Sequence, residues 1–292
     1  IMVQESMFEK LRPYLPEPPA KILYVGCGPG FSTDLLRSEG YMITAIPPKS
    51  GLVDYAAKHY GSDAADFAAL DFFDDNESVF TKGMYDILMF QESLQHLSPL
   101  IRVMEKARHL LKDRGTIIIG DEVCYDKTIG SETPIHISRE IYAAIAESGF
   151  RIIENKKIEN KNGQLGYEIF VAKKDEFYLR PYKPGDEKKI LEGFNEIFNT
   201  DRSLDHWYWK FRDNPYGSHM ACMGISDEGE IISHFAGYPV PFCLTVEESK
   251  EPKYFTTLQA GDTFTHPKVR RKGLGKTGLL ARSAYYFYVT FL

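Results

Sequence analysis

Three glycines near the N-terminus have the spacing of a ligand-binding turn. Gly26, Gly28 and Gly30 follow a short apolar run, residues 22–25, and a helical pattern begins directly after them. Glycine lets the backbone turn tightly and approach a ligand, and the N-terminus of the following helix presents free N–H groups to that ligand. A strand, a glycine turn and a helix in this order predict a nucleotide-binding element. Because glycine-rich turns also simply reverse a chain, the elements that follow must identify the ligand.

The next segments alternate between short apolar runs and amphipathic helical patterns. The clearest helix has Ser98 as its N-cap and Pro99 at its first helical position, with apolar residues recurring on one face. Helices of this length between short strands predict a mostly parallel, doubly wound α/β sheet. The predicted strands are residues 22–25, 41–46, 67–70, 86–90, 116–119, 150–153 and 167–171, and further predicted helices are residues 52–60 and 138–149.

With these elements in place, residues 8–174 resemble the class I S-adenosylmethionine-dependent methyltransferases, a family with a Rossmann-like fold. The resemblance rests on the glycine turn, on Asp71 after the third strand, on residues 95–97 after the fourth, and on late landmarks at residues 110–115 and 148–150. It implies S-adenosylmethionine as cofactor. It also implies that Gly26, Cys27, Gly28 and Gly30 lie under the methionine part, that Asp71 and Phe72 flank the adenine, and that Gln91 lies beside the cofactor.

Two positions depart from the family pattern. Family members carry an acid in the first strand, where this chain has Tyr24, and another at the end of the second strand, where it has Pro47. The second acid accepts hydrogen bonds from the ribose hydroxyls, and proline offers no side-chain acceptor. Each lost hydrogen bond to a charged group is worth about 1.5–3 kcal/mol, so cofactor affinity falls by about one to two orders of magnitude. Asp54 in the following helix is an alternative acceptor.

The first half offers few candidates for catalysis. His96 is a candidate general base, with packing or a hydrogen bond to the backbone as the alternative. Asp121, Glu122 and Tyr125 follow the fifth strand at the edge where such sheets bind ligands, and a solvated loop is the alternative for them. Methyl transfer from a sulfonium often requires only that the nucleophile is aligned, so activity does not depend on a dedicated base.

The pattern restarts after the charged residues 173–176. Predicted strands at residues 177–182, 220–225, 231–236 and 254–265 accompany a helix with apolar residues between Ile190 and Phe198. The segment that follows resembles the acetyl-CoA-binding motif of the GNAT N-acetyltransferases, which implies an α+β domain that binds a pyrophosphate. An ATP P-loop is excluded because it requires glycine at position 270. The residues of the motif are Arg270, Gly273 and Gly275, with Arg271 and Lys276 as added cations.

The GNAT resemblance also predicts an incomplete second half. In that family a further strand and helix follow the helix after the motif, whereas this sequence stops at Leu292, so we expect the chain to lack part of the fold. Residues 207–211 are a candidate acceptor pocket, with core packing as the alternative. Asp262 is a candidate base, with a turn-stabilising or solvated aspartate as the alternative.

Composition limits the class of protein. A formal net charge of −6 and a pI near 5.8 argue against a general binder of nucleic acids or anionic membranes. No apolar run approaches the roughly 20 residues that span a bilayer. The four cysteines are far apart and form no C-x-x-C pair, so they imply neither a disulfide framework nor a metal site and indicate a cytoplasmic protein.

These observations together predict two domains, residues 1–175 and 176–292. The leading hypothesis is a methyltransferase acting on a small-molecule acceptor, fused to a GNAT-like domain with acetyl-CoA as a second cofactor. The alternative is a pseudoenzyme or binding module that keeps both folds with impaired cofactor sites. A dehydrogenase is a weaker hypothesis, because the second strand offers no acid for a ribose. The acceptors and the oligomeric state stay open.

Overall fold

A computed structural model describes residues 2–47, 50–60, 65–68, 70–125, 135–159, 165–245, 252–270 and 278–292. The chain divides into two compact units, Ile1–Asp175 and Glu176–Leu292. Each described helix is too short or too polar to cross a membrane.

The first unit is built on a mixed sheet whose strands follow the order β3-β2-β1-β4-β5-β7-β6. The strands from β3 to β5 are parallel, and β7 runs antiparallel to both of its neighbours. The order reverses between β1 and β4, which predicts a ligand crevice at their carboxyl ends. This sheet confirms the expected Rossmann-like fold. The strands are β1 (Lys21–Val25), β2 (Met42–Ile46), β3 (Ala65–Phe67), β4 (Tyr85–Gln91), β5 (Leu111–Cys124), β6 (Phe150–Glu159) and β7 (Leu165–Lys174).

Helices cover both faces of this sheet. Alternate strand residues point to opposite faces, so that Leu23 and Val25 pack with α4 and α5 while Ile22 and Tyr24 pack with α1 and α2. The sequence is apolar at nearly every central strand position because both faces are buried. The helices are α1 (Met2–Leu11), α2 (Phe31–Ser38), α3 (Ser50–Tyr60), α4 (Leu100–Leu110) and α5 (Ser138–Glu147), with short 3₁₀ turns at Arg12–Tyr14 and Leu94–His96.

Some element boundaries differ from the sequence-based predictions, and tertiary pairing explains the differences. The third strand ends at Phe67 because it pairs with the last residues of β2, where Ala45 lies opposite Phe67. β5 is much longer than residues 116–119 because β7 pairs with it as far as Cys124. Pro99 is the N-cap of α4 rather than its first helical residue.

The second unit contains an antiparallel sheet in the order β11-β10-β9-β8. The predicted pairing of residues 220–225 with 231–236 is present as β9 and β10. One face packs against α6 and Trp207, and the other contacts α8, where the Ser283 carbonyl accepts a hydrogen bond from the Cys222 thiol at 3.1 Å. The elements are β8 (Phe177–Pro181), α6 (Glu187–Phe198), α7 (Leu204–Trp207), a π-helical turn (Tyr208–Arg212), β9 (Met220–Ser226), β10 (Ile231–Thr245), β11 (Pro252–Thr265) and α8 (Leu279–Phe291).

A largely buried ion pair joins β8 to the start of α6. The Arg180 guanidinium donates two hydrogen bonds, of 2.7 and 2.8 Å, to the Asp186 carboxylate, which also accepts one from the Lys183 N–H at 2.8 Å. Burial alone would raise the pKa of Asp186, but these hydrogen bonds outweigh it and hold the pKa below its ordinary value. The ionised carboxylate therefore stabilises the second unit.

We expect Asp186→Asn to lower the free energy of unfolding of this unit by about 2 kcal/mol at pH 7. A depressed folded-state pKa gives stability above the unfolded value, about 3.9, and that stability is lost as pH falls through the folded value. The difference between variant and parent should therefore shrink below pH 4. Urea unfolding followed by tryptophan fluorescence measures it, because both tryptophans, Trp207 and Trp209, lie in this unit.

The control variant is Asp213→Asn, which removes an exposed carboxylate paired with Arg212. We expect no measurable change from it, because exposed ion pairs contribute little. An Asp186→Asn effect equal at pH 7 and pH 3 would contradict the electrostatic explanation.

Candidate functional site

The three glycines at the end of β1 all adopt left-handed backbone conformations. Their φ angles are +86° at Gly26, +61° at Gly28 and +105° at Gly30, a region that residues with a side chain rarely occupy. Space is limited as well: a Cβ at Gly26 would clash with the carbonyl oxygen of Gln91, and one at Gly30 would lie 2.9 Å from the Tyr60 ring. Conformation and packing therefore both require glycine at the ends of this turn.

The turn leads directly into α2, with Gly30 as the N-cap. A glycine N-cap provides no side-chain oxygen for the N–H groups of the first helical turn, which can then face the polar atoms of a ligand. The Cys27 side chain within the turn is buried, and burial raises the pKa of its thiol to about 12. The thiol therefore stays protonated, and it donates to the Gly28 carbonyl at 3.7 Å.

Tyr24 occupies the position where the resembled family carries an acid. Its hydroxyl donates a hydrogen bond of 2.5 Å to Oε1 of Gln91, and both residues are buried. Burial is the main cause that raises the pKa of Tyr24, and the nearby Cys27 and Glu92 raise it further. The tyrosine therefore stays neutral and joins β1 to β4 by a hydrogen bond that sets the orientation of the Gln91 side chain.

Asp121 holds the segment after β4 against the sheet. Its carboxylate accepts hydrogen bonds from the N–H groups of Ser93 at 3.0 Å and Leu94 at 2.8 Å. Burial raises the pKa of Asp121 to about 6, against the opposing effect of these N–H groups. Ser93 in turn donates from its hydroxyl to the Val25 carbonyl at 3.2 Å. The alternative of a solvated loop is wrong for Asp121, because β5 extends past it and its side chain is buried.

His96 lies at the end of the 3₁₀ turn after β4, and its side chain is exposed. The alternative that it packs in the core is therefore wrong, while its role as a base stays a prediction. His136 was not predicted from the sequence; its Nε2 lies 3.0 Å from the Leu94 carbonyl and supports the same turn. In the described part of the chain, no group of three or more His, Cys, Asp or Glu side chains is placed to hold a metal.

The residues predicted near the adenine have different environments. Asp71 is exposed, and its carboxylate accepts a hydrogen bond from the Phe73 N–H at 2.8 Å. The Phe72 ring is buried and packs edge-on against Phe80 and Phe90. The aromatic core therefore holds the Phe72 ring, and its contact with an adenine stays a prediction.

Pro47 and Asp54 are the two residues at the predicted ribose position. Pro47 is buried directly after β2, and Asp54 is exposed on α3. A role for Asp54 toward the ribose stays a prediction.

In the second unit, the predicted pyrophosphate turn is described only at its start. Arg270 is exposed and donates from Nε to the Thr265 carbonyl at 2.8 Å, which fixes it against the end of β11. The other predicted ligands, Arg271, Gly273, Gly275 and Lys276, lie outside the described residues. Gly278 is the N-cap of α8.

The structure also describes the two other candidates in the second unit, Asp262 and residues 207–211. Asp262 accepts hydrogen bonds of 2.8 Å from both Arg202 and Lys210. Burial acts to raise its pKa, but the two cations outweigh burial and lower it, which is the wrong direction for a general base. Trp207 and Phe211 are buried in the core rather than lining a pocket, whereas Trp209 is 68% exposed.

The requirement for glycine at position 26 can be tested by comparison with Gly83. Both have positive φ, but a Cβ at Gly83 would meet nothing within 4 Å. Gly83→Ala therefore measures conformational strain alone, expected to cost about 1 kcal/mol. Gly26→Ala adds the clash with Gln91, and we expect it to cost at least twice as much.

Thermal unfolding followed by far-ultraviolet circular dichroism measures both variants. Equal losses of stability in Gly26→Ala and Gly83→Ala would show that the Gln91 carbonyl does not exclude a side chain at position 26.

A sequence model described as a methyltransferase domain matches residues 23–119, from β1 into β5. A curated relative, the malonyl-[acyl-carrier protein] O-methyltransferase of Acetivibrio thermocellus, is 32% identical over 98 residues. That alignment covers 33% of this chain and 33% of the relative, so the chain matches about a third of the length of that protein.

Solved structures share the fold of the first unit. The geranyl diphosphate C-methyltransferase of Streptomyces coelicolor A3(2), solved with Mg²⁺, geranyl-S-thiolodiphosphate and S-adenosyl-L-homocysteine, aligns with a TM-score of 0.52 and 14% identity over 58% of this chain and 76% of its own. The [4+2]-cyclase SpnF aligns with a TM-score of 0.51 and 17% identity over 60% of this chain and 80% of its own. At these identities the likeness shows the fold alone. Residues 23–119 are therefore similar in sequence to a methyltransferase domain, and the first unit shares the fold of these solved structures.

Proposed function

We propose that the first unit binds S-adenosylmethionine and transfers its methyl group to a small-molecule acceptor. The observation that carries this proposal is the left-handed glycine turn, Gly26 to Gly30, at the point where the strand order reverses. Such a position favours a ligand at the carboxyl ends of the strands. At Gly26 the Gln91 carbonyl occupies the space that a Cβ would need, so this glycine lets the end of β4 lie directly against the turn.

The residues of the turn fit the cofactor in a simple way. Gly28 and Gly30 would lie under its methionine part, and the N-terminus of α2 would face its polar groups. When bound, the cofactor supplies an electrophilic methyl group on a positively charged sulfur. The Tyr24–Gln91 hydrogen bond keeps the end of β4 in place beside the turn. The main work of the protein is to align an acceptor and exclude water, which does not require a dedicated base.

The departures from the family pattern affect affinity more than geometry. Tyr24 is accommodated by its hydrogen bond to Gln91, so the missing acid in β1 leaves no unpaired group at that position. Pro47 provides no side-chain acceptor for a ribose, so we expect the cofactor to bind more weakly than in a protein that has the acid.

The test is binding of S-adenosylhomocysteine, measured by isothermal titration calorimetry. We expect Gly28→Val to weaken binding at least 100-fold, because a branched side chain fills the space where backbone and ligand meet and is strained at positive φ. Gly83→Val is the matched control, since it introduces the same residue at another left-handed glycine, and we expect it to bind like the parent. Unchanged binding by Gly28→Val would place the cofactor elsewhere.

We also propose that the second unit binds acetyl-CoA through residues 270–276. Its antiparallel strands are hydrogen-bonded in chain order, and the segment after β11 leads to the N-terminus of α8. A helix N-terminus that follows a basic, glycine-rich turn suits a pyrophosphate, since the N–H groups and the cations both attract it. Acetyl transfer also needs a group that manages protons, and the ion-paired Asp262 is unsuited to that role.

The test of the second proposal is titration with CoA at two salt concentrations. We expect weak binding that falls as salt rises, and a loss of at least tenfold when Arg271 and Lys276 are both replaced by alanine. The control replaces Lys188 and Lys253, which are exposed on α6 and β11, and so removes the same charge elsewhere. An equal loss in both double variants would show a nonspecific charge effect and contradict the proposal.

A further inference from the structure

The Tyr167 hydroxyl is buried near the carboxyl end of β5. Tyr167 lies on β7 opposite Glu122 of β5, and the residue is only 7% exposed. A Cβ at Gly120 would lie 2.5 Å from this hydroxyl, so the oxygen lies directly over the backbone of β5. Among the described residues the hydroxyl has no hydrogen-bond partner. A buried polar group left unpaired is destabilising, so a hydroxyl in this position favours a ligand or a water as its partner.

Residues at the ends of neighbouring strands act electrostatically on this hydroxyl. Glu92 follows β4 directly, with a φ of +47°, and its N–H donates to the Gly120 carbonyl at 2.9 Å. Burial is the main cause that raises the pKa of Tyr167, and Glu92, Asp121 and Tyr24 raise it further. Glu92 also raises the pKa of Tyr24 and the pKa of Asp121. The carboxylates of Glu92 and Asp121 therefore favour a positive charge near the Tyr167 hydroxyl.

This position adjoins the glycine turn. Glu92 is the next residue after Gln91. The Gln91 carbonyl occupies the position of a Cβ at Gly26, and the Gln91 side chain accepts the hydrogen bond from Tyr24. Leu11 of α1 covers the other side, because its side chain also lies within 2.7 Å of the Cβ position at Gly120. The hydroxyl is therefore shielded from bulk solvent, and charges attract more strongly where the dielectric constant is low.

We propose that the Tyr167 hydroxyl and the Glu92 carboxylate receive the positively charged centre of a ligand, either the sulfonium of the methyl donor or the ammonium of an amine acceptor. Both oxygens have lone pairs that favour a cation, and the surrounding acidic groups favour it further. The inference rests on the proposed methyltransferase function, because that function brings a sulfonium to the glycine turn.

The first arm of the experiment compares S-adenosylmethionine, which carries the charged sulfur, with S-adenosylhomocysteine, which does not. Isothermal titration calorimetry gives both dissociation constants for the parent, Glu92→Gln and Tyr167→Phe. If the sulfonium is the cation, Glu92→Gln weakens binding of S-adenosylmethionine about tenfold and Tyr167→Phe about threefold. Binding of S-adenosylhomocysteine stays within twofold of the parent in both variants.

The second arm tests the ammonium. The protein saturated with S-adenosylhomocysteine is titrated with n-butylamine, which is an ammonium at pH 7.5, and with n-butanol as the uncharged control. If the acceptor supplies the cation, the parent binds the amine but not the alcohol, and Glu92→Gln loses that binding. Glu105→Gln, which removes an exposed carboxylate on α4, is the matched charge control for both arms and is expected to behave like the parent.

The outcomes separate this inference from the proposed function. A selective effect in either arm supports the inference and identifies the source of the cation. Equal effects of Glu92→Gln on both cofactor forms, with no amine binding, overturn the inference and leave the methyltransferase proposal intact; the hydroxyl then pairs with a buried water only. Failure of the parent to bind either cofactor form overturns both. Tyr167→Phe keeps the buried ring, so the comparison is available even if Glu92→Gln does not fold.

Discussion

The close approach between the end of β4 and the glycine turn after β1 is the constraint on which the first unit depends. The Gln91 carbonyl occupies the space that a side chain at Gly26 would need, so the two backbones can lie together only if position 26 is glycine. Ser93 bonds to the Val25 carbonyl, and the Asp121 carboxylate bonds to the N–H groups of Ser93 and Leu94. β1, β4 and β5 are therefore joined at their carboxyl ends, where the sheet order creates a crevice.

The replacement of an acid by Tyr24 changes the charge of that crevice. A neutral phenol hydrogen-bonded to Gln91 leaves no ionised side chain at the carboxyl end of β1, and the carboxylates of Glu92 and Asp121 lie near the ends of β4 and β5. The pKa of Asp121 is raised mainly by burial and in part by Glu92. This distribution of charge connects the proposed cofactor site with the inferred cation position at Tyr167.

Local patterns predicted the fold better than they predicted the site. The strand–turn–helix around residues 22–36 and the amphipathic helix after Ser98 are encoded by neighbouring residues, so their positions could be read from the sequence. The length of β5 depends on β7, some 40 residues later, and the burial of Phe72 depends on Phe80 and Phe90. The lowered pKa of Asp262 depends on Arg202 and Lys210, which are 60 and 52 positions away in the sequence. Such partners have no short-range signal.

The central claim is that the joined ends of β1 and β4 form the cofactor site. Hydrogen–deuterium exchange with and without S-adenosylhomocysteine tests it most directly, because it locates the bound ligand on the backbone without relying on a variant. We expect added protection in residues 24–34 and 91–97, and little change in β6 at residues 150–159. Protection confined to other segments, or none under saturating ligand, would contradict the account.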